Sequence, residues 1–167
     1  MDAKIYDHFS CCETLARKLK PIGHTQQKKR FFRAFGIEDL FDFDERLSSV
    51  KGMILIAVDG SDKEIKFNSA DTFTQRPQYG IIIAKNASRN NPEDIFQATH
   101  DCEYVCKQIA ACLAQDLIYG NNGYSRLNAE FQLNGIGPIG DNFYGSMLSF
   151  SLTESFRAVL DNGIWEE

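Results

Sequence analysis

The chain has 167 residues, 43% hydrophobic and 25% charged, with a formal net charge of −5; that is a globular composition sized for one core. Its acidity argues against a chain drawn as a whole to nucleic acid, and no apolar run approaches the roughly 20 residues of a membrane helix. MDAKIYDHFS lacks an apolar secretory stretch, and five cysteines (Cys11, Cys12, Cys102, Cys106 and Cys112) read as free thiols of a cytoplasmic protein.

From the N-terminus, Ile5, Phe9, Cys12, Ala16 and Leu19 share one helical face, and Pro21 and Gly23 stop that helix. Residues 24–35 predict a second short helix ending at Gly36; residues 37–49, IEDLFDFDERLSS, predict a short acidic helix or an ordered loop. GMILIAVDG (52–60) and YGIIIAK (79–85) are apolar runs of strand length, and residues 65–67 form a short partner. The polar segment 68–78, NSADTFTQRPQ, reads as an exposed loop because it is polar and holds Pro77.

A long helix is predicted from about Pro92 to Tyr119. Asn91 caps its free N–H groups, Pro92 needs no donor there, and Glu93 and Asp94 complement its dipole. Its inner stripe is Ile95, Thr99, Cys102, Cys106, Ile109, Leu113 and Leu117, and GNNG (120–123) ends it. Residues 126–134 alternate weakly through Leu127, Ala129, Phe131 and Leu133. Residues 144–153 alternate well, with Tyr144, Ser146, Leu148, Phe150 and Leu152 on one face. The expected fold is α+β, a single mixed or antiparallel sheet of about four strands flanked by an N-terminal helix and one long central helix. It forms one domain, 1–167: a helical segment 1–49, a body 50–155 and a tail 156–167.

No catalytic, cofactor or metal site follows from the residues. Cys102 and Cys106 fall on the apolar stripe, and His100 points away from Cys102, so these three suit a core better than zinc. His8, His24 or His100 could still meet a cysteine in space, although no nucleophile elbow, P-loop or GxGxxG flags a site. GIGPIG precedes a strand and loses a donor at Pro138, so it is no phosphate cradle, and DFDER (42–46) lacks the spacing of a calcium loop. KKRFFRAF (28–35) interleaves Lys28, Lys29, Arg30 and Arg33 with phenylalanines that can stack on bases. Its plainer reading is an amphipathic helix, and the acidic block 38–45 beside it suggests a two-signed surface for self-association.

YGIIIAK, the helix PEDIFQATHDCEYVCKQIAACLAQD, the turn PIGDNFYG and the last strand SMLSFSLT together resemble the tail terminator, or tail completion, proteins of long-tailed bacteriophages and prophages. The resemblance covers roughly residues 50–155, and residues 1–49 are longer and more helical than it leads one to expect, so a related virion ring or adaptor component is a second reading of the same resemblance. It implies a non-enzymatic structural subunit without cofactor, made in the bacterial cytoplasm and found in the virion or tail particle. Its partners would be other copies in a ring, commonly a hexamer, with tail-tube and head-connector proteins; any DNA contact would be non-specific, and no membrane is involved. The candidate interface is Lys28, Arg30 and Arg33 with Phe73 in the loop 68–78 and Ile136, Ile139, Phe143 and Tyr144 in the turn 134–145. These apolar residues stand in polar connections and would be buried by a neighbour. A small enzyme with an unrecognised site, and a monomeric protein- or nucleic-acid-binding module, are the alternatives.

Overall fold

A computed structural model describes residues 6–59, 62–69, 72–118, 130–157 and 159–166. Helix α1 (His8–Lys18) begins where the Asp7 carboxylate accepts from the Ser10 N–H, and it ends on Arg17 and Lys18. Strand β1 (Phe31–Phe35) leads through a 3-10 turn (Glu38–Asp42) and the short α2 (Asp44–Leu47) into β2 (Met53–Asp59). Then come β3 (Lys63–Ser69), β4 (Thr72–Asn86), α3 (Pro92–Leu113) with a π-helical turn (Ala114–Ile118), β5 (Phe131–Ile139), β6 (Phe143–Ser151) and β7 (Glu154–Arg157).

The expected sheet of about four strands is corrected to seven among the described residues, with α1 and α3 on one face. The main path runs β1-β2-β4-β6-β5, while β3 and β7 pair with the first half of β4. Only β1 and β2 run parallel, so the sheet is mixed. On one face Leu55, Ala57, Ile81, Ile83, Leu148 and Phe150 meet α1 and α3. On the other, Ile54, Ile56, Val58, Ile82 and Ala84 meet Leu40, Phe43 and Leu47 from the β1–β2 connection. Cover on both faces is why β2 and β4 read as unbroken apolar runs. Each fully buried Ile or Leu there contributes about 1.5–3 kcal/mol relative to exposure.

Three segments depart from expectation. Residues 31–35 form a strand, because Phe31 and Phe32 go to opposite faces of the sheet, which adjacent helical residues cannot do. Residues 72–78 are strand rather than loop. Pro77, which argued against a strand, sits where β4 changes neighbours, and its carbonyl accepts from the Leu152 N–H at 3.3 Å. The turn 134–145 shrinks to residues 140–142, since β5 continues past a bulge at Ile136/Ile139 with a cis Gly137–Pro138 bond. Gly145 then lets β6 lie against β4. A Cβ there would run into the Ile83 carbonyl oxygen and stand 2.7 Å from the Ala84 Cα.

Helix α3 is close to expectation at its start, where the Asn91 side chain accepts from the Glu93 and Asp94 N–H groups. Ala98, Cys102, Val105, Cys106, Ile109 and Leu113 form its buried stripe. Ile5, the turn 120–123, Leu127, Ala129 and the Leu117 side chain lie outside the described residues. Among the described residues no helix is long and apolar enough to cross a membrane.

Candidate functional site

The fold divides the eight residues expected at an interface. Ile139, Phe143 and Tyr144 are 3%, 1% and 8% exposed and belong to the chain's own core, so a neighbour cannot cover them. Ile136 is half-buried on β5 and Phe73 half-buried on β4. Lys28 and Arg30 lie just before β1 and Arg33 on it, at the opposite end of the sheet from β5, and of the three Arg33 alone lines the cleft beside that strand, while the Arg30 guanidinium lies toward Gly52.

Strand β1 ends the sheet. Leu55 N–H donates to the Arg30 carbonyl (2.9 Å) and Gly36 N–H to the Asp59 carbonyl (2.8 Å), so Phe31, Arg33 and Phe35 aim their backbone groups outward. The Arg46 guanidinium donates to the Arg33 carbonyl (2.8 Å), and Asp39 accepts from the Phe35 N–H (3.0 Å). Beside this edge lies a cleft of about 400 Å³ whose lining includes Glu13, His24, Lys29, Arg33 and Arg46. Its cations are braced over rings: Lys29 over Phe32 at 5.2 Å, Arg33 over Phe9 at 5.0 Å and Arg46 over Phe43 at 4.1 Å. Glu13 is engaged by Arg17 at 3.0 Å and Asp39 by Arg46 at 3.7 Å, which leaves the cleft cationic. His24 Nδ1 accepts from the Arg30 N–H, so the neutral ring carries its proton on Nε2, facing Glu13 at 3.9 Å. Burial pushes its pKa down. Phe31 and Phe32 are buried and offer bases no platform for stacking, while Phe35 at the end of β1 is 75% exposed.

The second feature is an arm. Beyond Pro77 the first half of β4 lies between β3 and β7, extending about 20 Å at some 3.3 Å per residue. No residue of β3, β7 or 72–76 is buried. Phe67, Phe73 and Phe156 form an aromatic file across it, with ring centroids 5.4 and 5.5 Å apart. Past β7, Val159, Leu160, Ile164 and Trp165 are 66–78% exposed. Sequence reasoning missed Phe67, Phe156 and Trp165; the signal available was apolar residues set in strongly polar stretches.

His8 and the buried thiols Cys12, Cys102 and Cys106 serve packing, while Cys112 and His100 are exposed. His8 Nε2 donates to the Gly80 carbonyl (2.9 Å) and its Nδ1 accepts from the Tyr6 hydroxyl (2.8 Å), with Cys12 Sγ 3.8 Å away. His8 and Cys12 thus meet, but at 2% and 0% exposure no substrate reaches them, and burial pushes the Cys12 thiol well up. The Cys102 and Cys106 thiols point at the carbonyls of Tyr144 and Ser146, and burial raises both to about 12. Among the described residues no three His, Cys, Asp or Glu side chains gather as metal ligands. No protein-family model matches the chain, and no curated protein matches it in sequence.

Proposed function

We propose that the chain is a structural ring subunit of a phage or prophage tail, capping the tail tube and joining it to the head connector. The observation that carries this reading is the three-stranded arm. It orders 17 residues of β3, β7 and 72–77 outside the main sheet and shows Ile65 and Phe67 to solvent at 57% and 65% exposure. A monomer gains little from such a projection, whereas a subunit can lay it on the next copy or on the tube. The sheet ends add support, since β1 and β5 present different surfaces at opposite ends, as a head-to-tail ring requires. The resemblance of residues 50–155 to tail terminators points the same way.

The test is assembly. Purified protein, alone and mixed with tail tubes from the same phage or prophage, is examined by native mass spectrometry and negative-stain microscopy. Closed rings, hexamers foremost, that sit on tube ends and halt tube growth are expected. A chain that stays monomeric at high concentration and ignores tube ends refutes the reading.

A further inference from the structure

We propose that residues 159–166 of one copy dock in the cleft beside β1 of the next, with Trp165 as the apolar anchor. The proposal rests on the ring reading for its second copy, and it names the contact that would join neighbours.

The segment is unfinished in the single chain. Val159, Leu160, Ile164 and Trp165 are each at least 66% exposed within eight residues. Its internal order is one local turn, in which Ile164 N–H donates to the Asp161 carbonyl and Gly163 N–H to the Asp161 side chain. Its charges are Asp161 and Glu166, with no lysine or arginine. The cleft is its complement. Lys29, Arg33 and Arg46 line it, held over aromatic rings, and its volume of about 400 Å³ admits an indole. An indole entering between those cations gains cation–π attraction, and Glu166 beside it meets their charge.

Chain geometry works against the segment's own cleft. Arg157 pairs with Thr72 at the far end of the arm, while Phe31 pairs with Leu55, which pairs with Ile83. The eleven-residue offset along β4 and three strand spacings put Phe31 about 39 Å from Arg157, and the nine-residue offset of Arg33, which pairs with Ala57 and through it with Ile81, gives about 33 Å. The eight residues from Arg157 to Trp165 span at most about 28 Å. To approach its own cleft the tail would have to straighten fully and undo its Asp161 turn, whereas another molecule's tail meets no such limit. Protection of Trp165 that does not depend on concentration would show self-docking and overturn the proposal. Tail and cleft are different patches, so the contact propagates head to tail and closes where its rotation allows.

Trp165 is the only tryptophan, so its fluorescence reports the docking directly. As concentration rises, or as the protein loads onto tail tubes, its emission should move to shorter wavelength and acrylamide quenching should fall, in step with mass by sedimentation velocity. Trp165→Ser should weaken association at least about thirtyfold, the loss of an aromatic hot spot. It changes an exposed side chain in a segment with no buried residue, so folding is not at stake. Lys29→Glu with Arg33→Glu should do the same from the other side, with folding checked by circular dichroism; Lys29→Glu alone, outside the strand, serves if the pair misfolds. Mixed together, the tail and cleft variants should form a dimer and nothing larger, since one working tail then meets one working cleft. If wild type associates while Trp165 stays accessible and both variants associate equally well, the docking is wrong and the ring reading survives. If wild type stays monomeric with accessible Trp165, both free and with tail tubes, both fall.

Discussion

Phe150→Ala removes the ring at the centre of the larger core. Phe150 is 2% exposed, and its ring centroid lies 5.5 Å from Phe131, 5.6 Å from Tyr79, 5.9 Å from His8 and 6.2 Å from Tyr6. These neighbours come from α1's approach, β4 and β5, so no single side chain can swing into the gap. A residual cavity on the order of 100 Å³, at about 24 cal/mol per Å³, costs about 2.4 kcal/mol. The lost burial of the ring adds about 2 kcal/mol. The expected loss is therefore about 4 kcal/mol, within the range of about 3–5 for truncating a buried phenylalanine. Urea unfolding followed by far-UV circular dichroism measures it, because Trp165 fluorescence reports the tail instead of this core. The midpoint should fall with little change in slope. A loss below about 1 kcal/mol would mean that this face of β6 is not buried.

Three further outcomes follow from particular contacts. Burial holds the His8 pKa below its ordinary value, so the unfolded chain takes up the proton first, near pH 6.5. Stability from this group is then full above about pH 6.5 and falls with pH by up to about 1.4 kcal/mol per unit until the folded pKa is passed; an unchanged acid slope in His8→Gln by urea titration would refute this. Gly145→Ala should destabilise by about 3 kcal/mol or more, because its Cβ meets β4 backbone; a thermal midpoint like wild type would mean the strands are not so close. Iodoacetamide at pH 8 should label exposed Cys112 ahead of buried Cys12, Cys102 and Cys106 in the native protein, even though partial burial and Asp116 raise the Cys112 thiol. Intact mass after Cys112→Ser should lack the fast adduct, and rapid labelling of Cys106 would refute its burial.

Local chemistry alone determined the elements whose signals are complete within a few residues. The Asn91-Pro92-Glu93-Asp94 start of α3 was legible because capping and dipole effects act within one turn. Strand β2 and the second half of β4, residues 79–85, were legible because burial on both faces leaves an unbroken apolar run. Tertiary structure decided what depends on distant partners. The stretch 28–35 has helical spacing between Lys29 or Arg30 and Arg33, yet a sheet end beside Leu55 and Ile56 draws Phe31 and Phe32 to opposite faces. Of the arm only residues 65–67 show in sequence, because β3 and β7 bury nothing and are held by hydrogen bonding and cross-strand ring contacts to the half of β4 that precedes Pro77. Of the candidate interface, the charges at Lys28, Arg30 and Arg33 were readable, because a basic run shows in sequence. That Ile139, Phe143 and Tyr144 turn inward was not, because sequence gives the polarity of a residue but not which side of a sheet its neighbours have already covered.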